Sequence, residues 1–534
     1  MSRKSLLAFR LSWTPFLVLL TSLPYVVNWL ATPAGYHYTW ILPPYPEDSF
    51  GYMAWAEQAA RGAWLFKIKY TALPHAPFLF HPFFLICGWL AALFSCDVGV
   101  VFWIAKAVGV ILFFSVFYRY LDFLGLTPTQ SIAASVLIGI SSGVGAVLIW
   151  LGLIGPDSIV SADLWMPEIS AFWSFLWNPL FPFSLTLFLL SIYWIDRGTR
   201  EKRSSDFWRS GLSTGLMALV HPYSVPLIFT LVAIVIVART RQSASAFLAR
   251  YLASALPFVI YVALISKLNP LVARHNALGG MKSPNLPGYV LGFGFPLVLF
   301  VICFLIEKGR WARQYWIFAV WFLISLVFTY LPFWFQRKLI FGAHIPLSIL
   351  GGICCGAIYD RWVDHHRPRW LLIGAGFLGA TLVATTPAYL LVRQTAEVRS
   401  NPTSAYYVDN ELFEGLRILK ERSKPDDIVL ASFETSRLIP AFSGNTVFWG
   451  HWAMSLDSEN RRNWIAHFFD PQSDWADEKR ANEFWGSGVR FIFADGSIKK
   501  SLEENPWVWK TILRDATRIF ENRSVEIYQR RDTP

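Results

Sequence analysis

Long apolar stretches separated by short polar connections dominate the chain. Segments such as 131–153, 289–306 and 370–390 hold enough apolar residues to cross a hydrocarbon core about 30 Å thick as helices. The first apolar segment is too long for the apolar part of a signal peptide and lacks a small-residue cleavage motif, so we interpret it as a retained span. The pattern predicts about eleven spans: 12–31, 98–118, 131–153, 182–195, 211–221, 224–238, 251–266, 289–306, 314–331, 341–359 and 370–390.

Basic residues predict the orientation of these spans. Arg3, Lys4 and Arg10 precede the first span, and later basic clusters fall in alternate connections. These clusters are residues 197–209, 239–250, 308–313 and 361–369. Lys and Arg concentrate on the cytoplasmic side of membrane proteins. We therefore predict a multi-pass protein of a bacterial inner membrane, with its N-terminus in the cytoplasm and its C-terminal part outside.

Two apolar regions fit this count less simply. Residues 78–96 are apolar enough to span, but counting them would place the later basic connections outside. We expect them to form an in-plane or re-entrant piece on the outer face, covered by protein. A His-Pro dipeptide divides 211–238 into two short spans, and one broken helix is the alternative. The outer loops 32–97 and 154–181 are long and rich in Pro and Trp, which is typical of functional loops.

The last part of the chain changes character. Charged residues become frequent, and short β-branched or aromatic runs alternate with helix-like stretches. The runs lie at 428–432, 446–449, 490–494 and 525–529. We predict an α-helical polytopic membrane protein in which 1–390 form the transmembrane domain and 391–534 form a small α/β domain outside the membrane.

Composition agrees with a membrane protein. Hydrophobic residues make up 54% and charged residues 16% of the chain, whereas soluble domains carry about 25% charged residues. The net charge of +11 resides in short connections, so it indicates topology and lipid contact and not nucleic-acid binding. The five cysteines show neither zinc spacing nor a disulfide framework.

An acidic pair lies in the first outer loop, within PPYPEDSFGYMAWAEQAARG at 43–62. Glu47 and Asp48 follow a Pro-rich turn and precede a predicted helix. An Asp before a helix can cap its free N–H groups. A carboxylate held near the bilayer can instead act as a general base towards an acceptor hydroxyl.

These features resemble the GT-C glycosyltransferase superfamily, to which protein mannosyltransferases and aminoarabinose transferases belong. The resemblance rests on the acidic residue after the first span, the run D-S-F-G-Y at 48–52 and the H-P at 81–82. It covers about residues 1–390 by architecture. It implies a transmembrane bundle with an outer domain, a polyprenyl-phosphate-linked sugar as donor, and Asp48 as catalytic base with Glu47 as the alternate.

The second outer loop carries Asp157, Asp163 and Glu168. Asp163 and Glu168 are five residues apart, so one helix would not place them on one face. The resemblance implies that an acidic residue here positions the acceptor or a metal, and Asp163 and Glu168 match that position; plain loop polarity is the alternative. His81 could join them or mark a bend before its Pro. No cofactor is predicted, and a divalent cation is left open.

Cationic residues suggest where a phosphate would bind. Arg337 and Lys338 lie outside in the predicted topology, against the basic-inside bias, and a lipid phosphate or snorkelling to headgroups would explain them. His344 follows Arg337 by seven residues, two helical turns, and is expected on the same face. Lys106 lies within the second predicted span. It is interpreted either as a phosphate ligand or as a residue that snorkels to the outer interface.

Together these residues predict an inverting transferase that moves the sugar to a hydroxyl of a saccharide, lipid or protein acceptor. Asp48 and the Arg337–Lys338 pair are expected to face one cavity at the outer surface. Sugar could stack on Trp449, His451 and Trp452. A transporter or flippase is one alternative, although no repeat typical of such proteins is visible in the sequence. A non-catalytic scaffold is the other.

Overall fold

The computed structural model is predominantly helical. It describes residues 3–273, 280–306, 314–365, 368–400, 405–456, 458–469, 477–504 and 506–531. The helices up to residue 400 are α1 (Arg3–Leu30), α2 (Pro46–Ala60), α3 (Pro82–Phe94), α4 (Val98–Phe123), α5 (Pro128–Ile140), α6 (Gly145–Trp150), α7 (Ala171–Trp177), α8 (Leu180–Glu201), α9 (Ser204–Val220), α10 (Val225–Thr240), α11 (Ala244–Leu268), α12 (Leu286–Ile306), α13 (Trp316–Phe328), α14 (His344–Asp364) and α15 (Arg369–Ser400). Short 3-10 helices occupy Ala162–Leu164, Pro167–Ile169, Pro222–Ser224, Arg241–Ser243 and Gln336–Ile340.

Seven segments of the described chain are long and apolar enough to cross a membrane. They are Arg3–Leu30, Val98–Phe123, Leu180–Glu201, Pro222–Leu268, Leu286–Leu305, Gln336–Asp364 and Trp370–Ser400. Three shorter apolar helices, α3, α5 and α13, accompany them. The protein therefore has the helices of a multi-pass membrane protein.

One predicted span differs from the structure in continuity, and one predicted break is present. The stretch 131–153 was expected as one span, but α5 ends at Ile140 and α6 begins at Gly145. The intervening Ser141, Ser142 and Gly143 favour turns over helix interior. The 211–238 region is indeed broken, because Pro222 lacks an N–H and disfavours helical geometry at His221.

The chain divides into two compact units by contacts, and each is described here by itself. The first unit comprises Met1–Val26, Trp103–Ser266 and Gly279–Ala396. Its helices approach closely through small residues, as membrane helices do. On α14, a Cβ at Gly352 would lie 2.7 Å from Ala134 of α5. Buried hydroxyls join neighbouring helices, since Ser191 of α8 contacts Thr214 of α9 at 2.8 Å.

Two fully buried carboxylates neutralise part of the basic cluster in the first unit. Asp196 pairs with Arg200 at 2.8 Å and with Arg239. Asp206 pairs with Arg197 at 2.7 Å and also contacts Arg209. These arginines, assigned above to topology alone, thus also stabilise the ends of α8, α9 and α10, because a buried carboxylate requires a partner.

The second unit comprises Val27–Phe102, Lys267–Leu278 and Glu397–Pro534. Its strands are β1 (Tyr36–Tyr38), β2 (Tyr407–Asp409), β3 (Ile428–Leu430), β4 (Thr446–Val447), β5 (Val489–Ala494), β6 (Ala516–Glu521) and β7 (Glu526–Arg530). Its later helices are α16 (Asn410–Arg422), α17 (Phe433–Phe442), α18 (Ser458–Phe469), α19 (Asp477–Gly486), α20 (Gly496–Glu504) and α21 (Pro506–Arg514). The order β4-β3-β5-β7-β6 forms one sheet, in which β3 runs parallel to β4 and β5 and β7 runs antiparallel to β5 and β6.

The second unit also includes part of the first outer loop. Strand β1 pairs antiparallel with β2, with Tyr36 opposite Asp409. The phenol of Tyr407 donates to the Asn28 carbonyl at 2.8 Å. Residues 27–102 are therefore grouped by contacts with the C-terminal part of the chain, whereas the sequence analysis placed the boundary after residue 390.

Candidate functional site

The acidic pair lies in the first turn of α2, which we call the acidic turn (Glu47 and Asp48). The helix begins at Pro46, and Tyr45 occupies the N-cap without a side-chain hydrogen bond to the helix. Asp48 therefore lies inside the helix. The capping alternative required it to be the N-cap, which is Tyr45 instead. Both carboxylates still interact favourably with the positive end of the helix dipole.

Glu47 of the acidic turn is paired with a cation of the second unit. Arg437 Nη1 of α17 donates to Glu47 Oε1 at 2.8 Å. Arg437 also pairs with Glu434 of its own helix. One oxygen of Glu47 is therefore committed to a cation, and Glu47 and Asp48 are both half-buried.

Aromatic packing holds α2 against α3. Gly88 of α3 permits this approach, because a Cβ there would lie 2.2 Å from the Ala56 carbonyl oxygen. His81 is the N-cap of α3 and stacks on Phe84 with ring centroids 4.1 Å apart. The geometry of His81 agrees with a role at the bend, and its role towards an acceptor or metal stays a prediction.

Arg337, Lys338 and Glu168 form a second group, the cation cluster, within the first unit. Lys338 Nζ lies 3.3 Å from Glu168 Oε1, and the two side chains are 14% and 2% exposed. Burial acts to raise the pKa of Glu168, but the charges of Lys338 and Arg337 outweigh burial and leave that pKa below its usual value. Glu168 is therefore ionised and is the counter-ion of the cationic pair.

Aromatic rings face both cations. The Arg337 guanidinium carbon lies 5.5 Å from the centroid of Trp165, and Lys338 Nζ lies 5.5 Å from that of Tyr223. Among the described residues, Arg337 Nε and Glu168 Oε2 are buried without a hydrogen-bond partner. Leaving such a group unsatisfied costs about 1–3 kcal/mol. The cluster thus retains unused capacity both to donate and to accept hydrogen bonds.

His344 does not share a helical face with Arg337, so this expectation is wrong. Arg337 belongs to the 3-10 helix Gln336–Ile340, and α14 starts only at His344, after Gly342 with a φ of +85°. The His344 ring binds Ser141 Oγ through Nε2 at 3.0 Å and accepts from the Ala171 N–H through Nδ1 at 3.2 Å. The two ring nitrogens thus join α14 to the end of α5 and to the start of α7.

Lys106 is enclosed within the first unit. Its ammonium donates to the Thr21 carbonyl at 2.7 Å and lies 3.9 Å from the centroid of Tyr25. The residue is 1% exposed, so the snorkelling alternative is wrong. A role in phosphate binding stays a prediction.

Asp163 is fully buried where α5 and α6 separate. It accepts from the Gly145 N–H at 3.1 Å and from the Ser161 hydroxyl. A Cβ at Gly143 would lie 2.7 Å from the Asp163 carboxyl carbon. Burial raises the pKa of Asp163 to about 6, although these hydrogen bonds act to lower it. Asp163 thus stabilises the interruption between α5 and α6. Its role towards an acceptor or a metal stays a prediction.

The remaining candidates have mixed surroundings. Trp452 is 54% exposed, whereas His451 is buried and accepts from the N–H groups of Ala453 and Met454. Within the described part of the chain, no group of three or more His, Cys, Asp or Glu side chains could hold a metal ion.

Comparisons with known proteins identify the fold. Neither protein-family models nor curated proteins give a match. The solved oligosaccharyltransferase of Archaeoglobus fulgidus in its apo form matches with a TM-score of 0.52 and 13% identity, over 91% of this chain and 69% of that one. ArnT from Cupriavidus metallidurans, bound to undecaprenyl phosphate, matches with a TM-score of 0.51 and 13% identity, over 96% and 98%. The arabinofuranosyltransferase AftD from Mycobacteria matches with a TM-score of 0.51 and 13% identity, over 99% of this chain and 42% of that one.

This chain has the GT-C glycosyltransferase fold. The resemblance seen in the sequence is thereby confirmed for the fold, while the roles of individual residues stay predictions. Within this GT-C fold the sequence analysis missed Arg437, the partner of Glu47, because nothing in the local pattern links two residues so far apart. It also treated His221 only as a helix break, whereas in the structure the ring is buried and stacks on Phe341.

Proposed function

We propose that the chain is an inverting glycosyltransferase that moves a sugar from a polyprenyl phosphate to an acceptor hydroxyl on the outer face of the membrane. The observation that carries the proposal is the cation cluster at the start of a candidate span, in which two half-buried cations lie beside the buried Glu168. ArnT, which shares the fold, was solved with undecaprenyl phosphate bound. A lipid phosphate is the ligand that such a cluster would suit.

The cluster has the chemistry for a phosphate. Arg337 can grip two phosphate oxygens with its planar guanidinium, and Lys338 adds a compact positive charge. The unused N–H of Arg337 would gain an acceptor. Lys338 would be shared between the phosphate and Glu168, whose negative charge prevents the cluster from being doubly positive when no phosphate is present.

Asp48 is the proposed catalytic base, as the resemblance to the GT-C superfamily implies, and Glu47 is the alternate. Asp48 takes the proton from the acceptor hydroxyl, and the acceptor oxygen forms a bond to the anomeric carbon. The bond from that carbon to the phosphate oxygen breaks, and the polyprenyl phosphate leaves with the electron pair. Attack opposite to the leaving group inverts the configuration, and no nucleotide is required.

We further propose that the membrane domain crosses the bilayer eleven times and that the α/β domain lies outside. A helix occupies each of the eleven predicted positions: α1, α4, α5 and α8 to α15. An in-plane α3 on the outer face is part of this proposal, because counting α3 as a span would place the later basic connections outside. The proposed acceptor is a saccharide, lipid or protein, and the involvement of a divalent cation is left open.

The test is sugar transfer by purified protein in proteoliposomes, with a panel of labelled undecaprenyl-phosphate hexoses and pentoses. Asp48→Asn removes the base and should lower transfer at least 100-fold, within the range for loss of general-base catalysis. Glu47→Gln is the matched control and should retain most activity. Undiminished transfer by the Asp48 variant would remove the assigned base. Movement of labelled lipid across the bilayer without any transfer would favour a flippase.

A further inference from the structure

His221 is a buried histidine that the proposed reaction has not yet used. It lies between α9 and the 3-10 helix Pro222–Ser224 and is 3% exposed. Its ring stacks on Phe341 with centroids 4.6 Å apart and meets Phe181 edge-on at 5.7 Å. Phe341 directly follows the 3-10 helix that carries Arg337 and Lys338. The ring is thus held against the segment of the cation cluster.

The two nitrogens of His221 have different surroundings. Nδ1 lies 3.2 Å from Ser224 Oγ, whereas Nε2 is buried with no hydrogen-bond partner among the described residues. When the Ser224 hydroxyl donates to Nδ1, the ring proton resides on Nε2, which becomes a donor. Nε2 is then suited to an anionic oxygen.

Three unsatisfied buried atoms therefore come from neighbouring segments: His221 Nε2, Arg337 Nε and Glu168 Oε2. Tyr223, two residues after His221, faces Lys338, and Lys338 pairs with Glu168. The charges of Lys338 and Glu168 both act on the His221 ring. Buried polar atoms normally have partners, so the two N–H groups among these atoms indicate a ligand that offers acceptors to both.

We propose that His221 is a third phosphate ligand, whose Nε2–H donates to an oxygen of the donor phosphate beside Arg337 and Lys338. This inference rests on the proposed function, because it assigns the same phosphate. A neutral His221 adds a hydrogen-bond donor to the site. It therefore strengthens phosphate binding without increasing the positive charge of the cation cluster.

The test measures binding of undecaprenyl phosphate to the full chain in nanodiscs. His221→Phe keeps an aromatic ring against Phe341 but removes the N–H. We expect its Kd to rise at least tenfold, and His221→Gln, which restores a donor, should recover part of the loss. The control His365→Phe changes an exposed histidine of α14's C-terminal end and should bind like the wild type. Inorganic phosphate and phosphatidylglycerol, tested in parallel, show whether the same dependence on His221 extends to a free phosphate or an ordinary headgroup.

The outcomes separate the two proposals. Normal binding by His221→Phe, with binding lost in Arg337→Ala, overturns the role of His221 and leaves the phosphate site intact. Binding unaffected by all of these changes overturns the phosphate site itself. If His221→Phe does not fold, the side-chain nitrogen resonances of wild-type protein labelled with 15N-histidine decide. A shift of the His221 Nε2 signal on adding undecaprenyl phosphate supports the contact, and no shift overturns it.

Discussion

The Lys338–Glu168 pair links stability to the proposed binding of donor. Removing one member of a buried ion pair leaves the other charge poorly compensated, which commonly costs 3–5 kcal/mol. We expect Lys338→Met to lower the free energy of unfolding by about 3 kcal/mol. This value is at the lower end of that range because Arg337 still lies near Glu168. Thermal unfolding of the protein in nanodiscs measures this loss.

The double variant Glu168→Gln/Lys338→Met separates folding from binding. Both charges are then absent, so most of the lost stability should return. Affinity for undecaprenyl phosphate should not return, because the ammonium that would meet the phosphate is still missing. If the double variant binds as tightly as the wild type, Lys338 contributes only to folding.

Asp163 should make stability depend on pH. Its pKa of about 6 in the folded protein is above the ordinary value of 3.8 for an aspartate, so the folded state binds more protons between these two pH values. Stability therefore falls as pH rises from about 4 to about 6, by about 3 kcal/mol from this group. Asp163→Asn keeps a carbonyl oxygen for the Gly145 N–H and should lose this part of the dependence. Equal pH profiles of melting temperature for variant and wild type would contradict the raised pKa.

The sequence identified the charged residues better than their partners. Arg337, Lys338 and Glu168 were all singled out, because charges near long apolar segments stand out by type alone. That Lys338 would pair with Glu168 was not predictable, since the two lie on segments far apart in the chain. His344 was misplaced for a local reason, because a spacing of seven implies a shared face only on one continuous helix, and Gly342 interrupts it.

At the scale of elements, the contact between α2 and α3 should position the acidic turn. A Cβ at Gly88 would lie 2.2 Å from the Ala56 carbonyl oxygen, so the helices must separate. We expect Gly88→Ala to destabilise the protein by about 2 kcal/mol, typical of overpacking, and to lower sugar transfer because α2 carries Asp48. Melting temperature and transfer rate are the two measurements.

Gly374→Ala provides the matched control for Gly88. Gly374 lies in α15, and a Cβ there would meet no atom within 4 Å. Replacing a glycine inside a helix by alanine normally stabilises it by up to about 1 kcal/mol. Equal effects of the two substitutions would show that the close approach of α2 and α3 is not required.

Hydropathy predicted the helices better than it predicted which distant segments contact each other. Each long apolar segment became a helix, because helical geometry satisfies its backbone hydrogen bonds locally. The pairing of β1 with β2 joins residues about 370 positions apart, and no local pattern encodes such a contact. The interruption between α5 and α6 was also missed, since an apolar window averages over the Ser-Ser-Gly that ends α5.

At the scale of the whole molecule, the proposed reaction depends on the side of the membrane to which α3 belongs. In a background without the five native cysteines, we would introduce Ser95→Cys, Ser205→Cys and Lys424→Cys, all at exposed positions. An impermeant maleimide should label positions 95 and 424 in intact spheroplasts, and position 205 only after the membrane is opened.

Position 95 decides between the two topologies, because it follows α3 and precedes α4. An in-plane α3 leaves position 95 outside, whereas a crossing α3 moves it to the cytoplasm and inverts every later connection. Labelling of position 95 only after opening would therefore place the cation cluster on the cytoplasmic side, as the order of the spans requires. The outer-face reaction would then have no phosphate site, whereas labelling from outside would leave the acidic turn and the cation cluster on the same side.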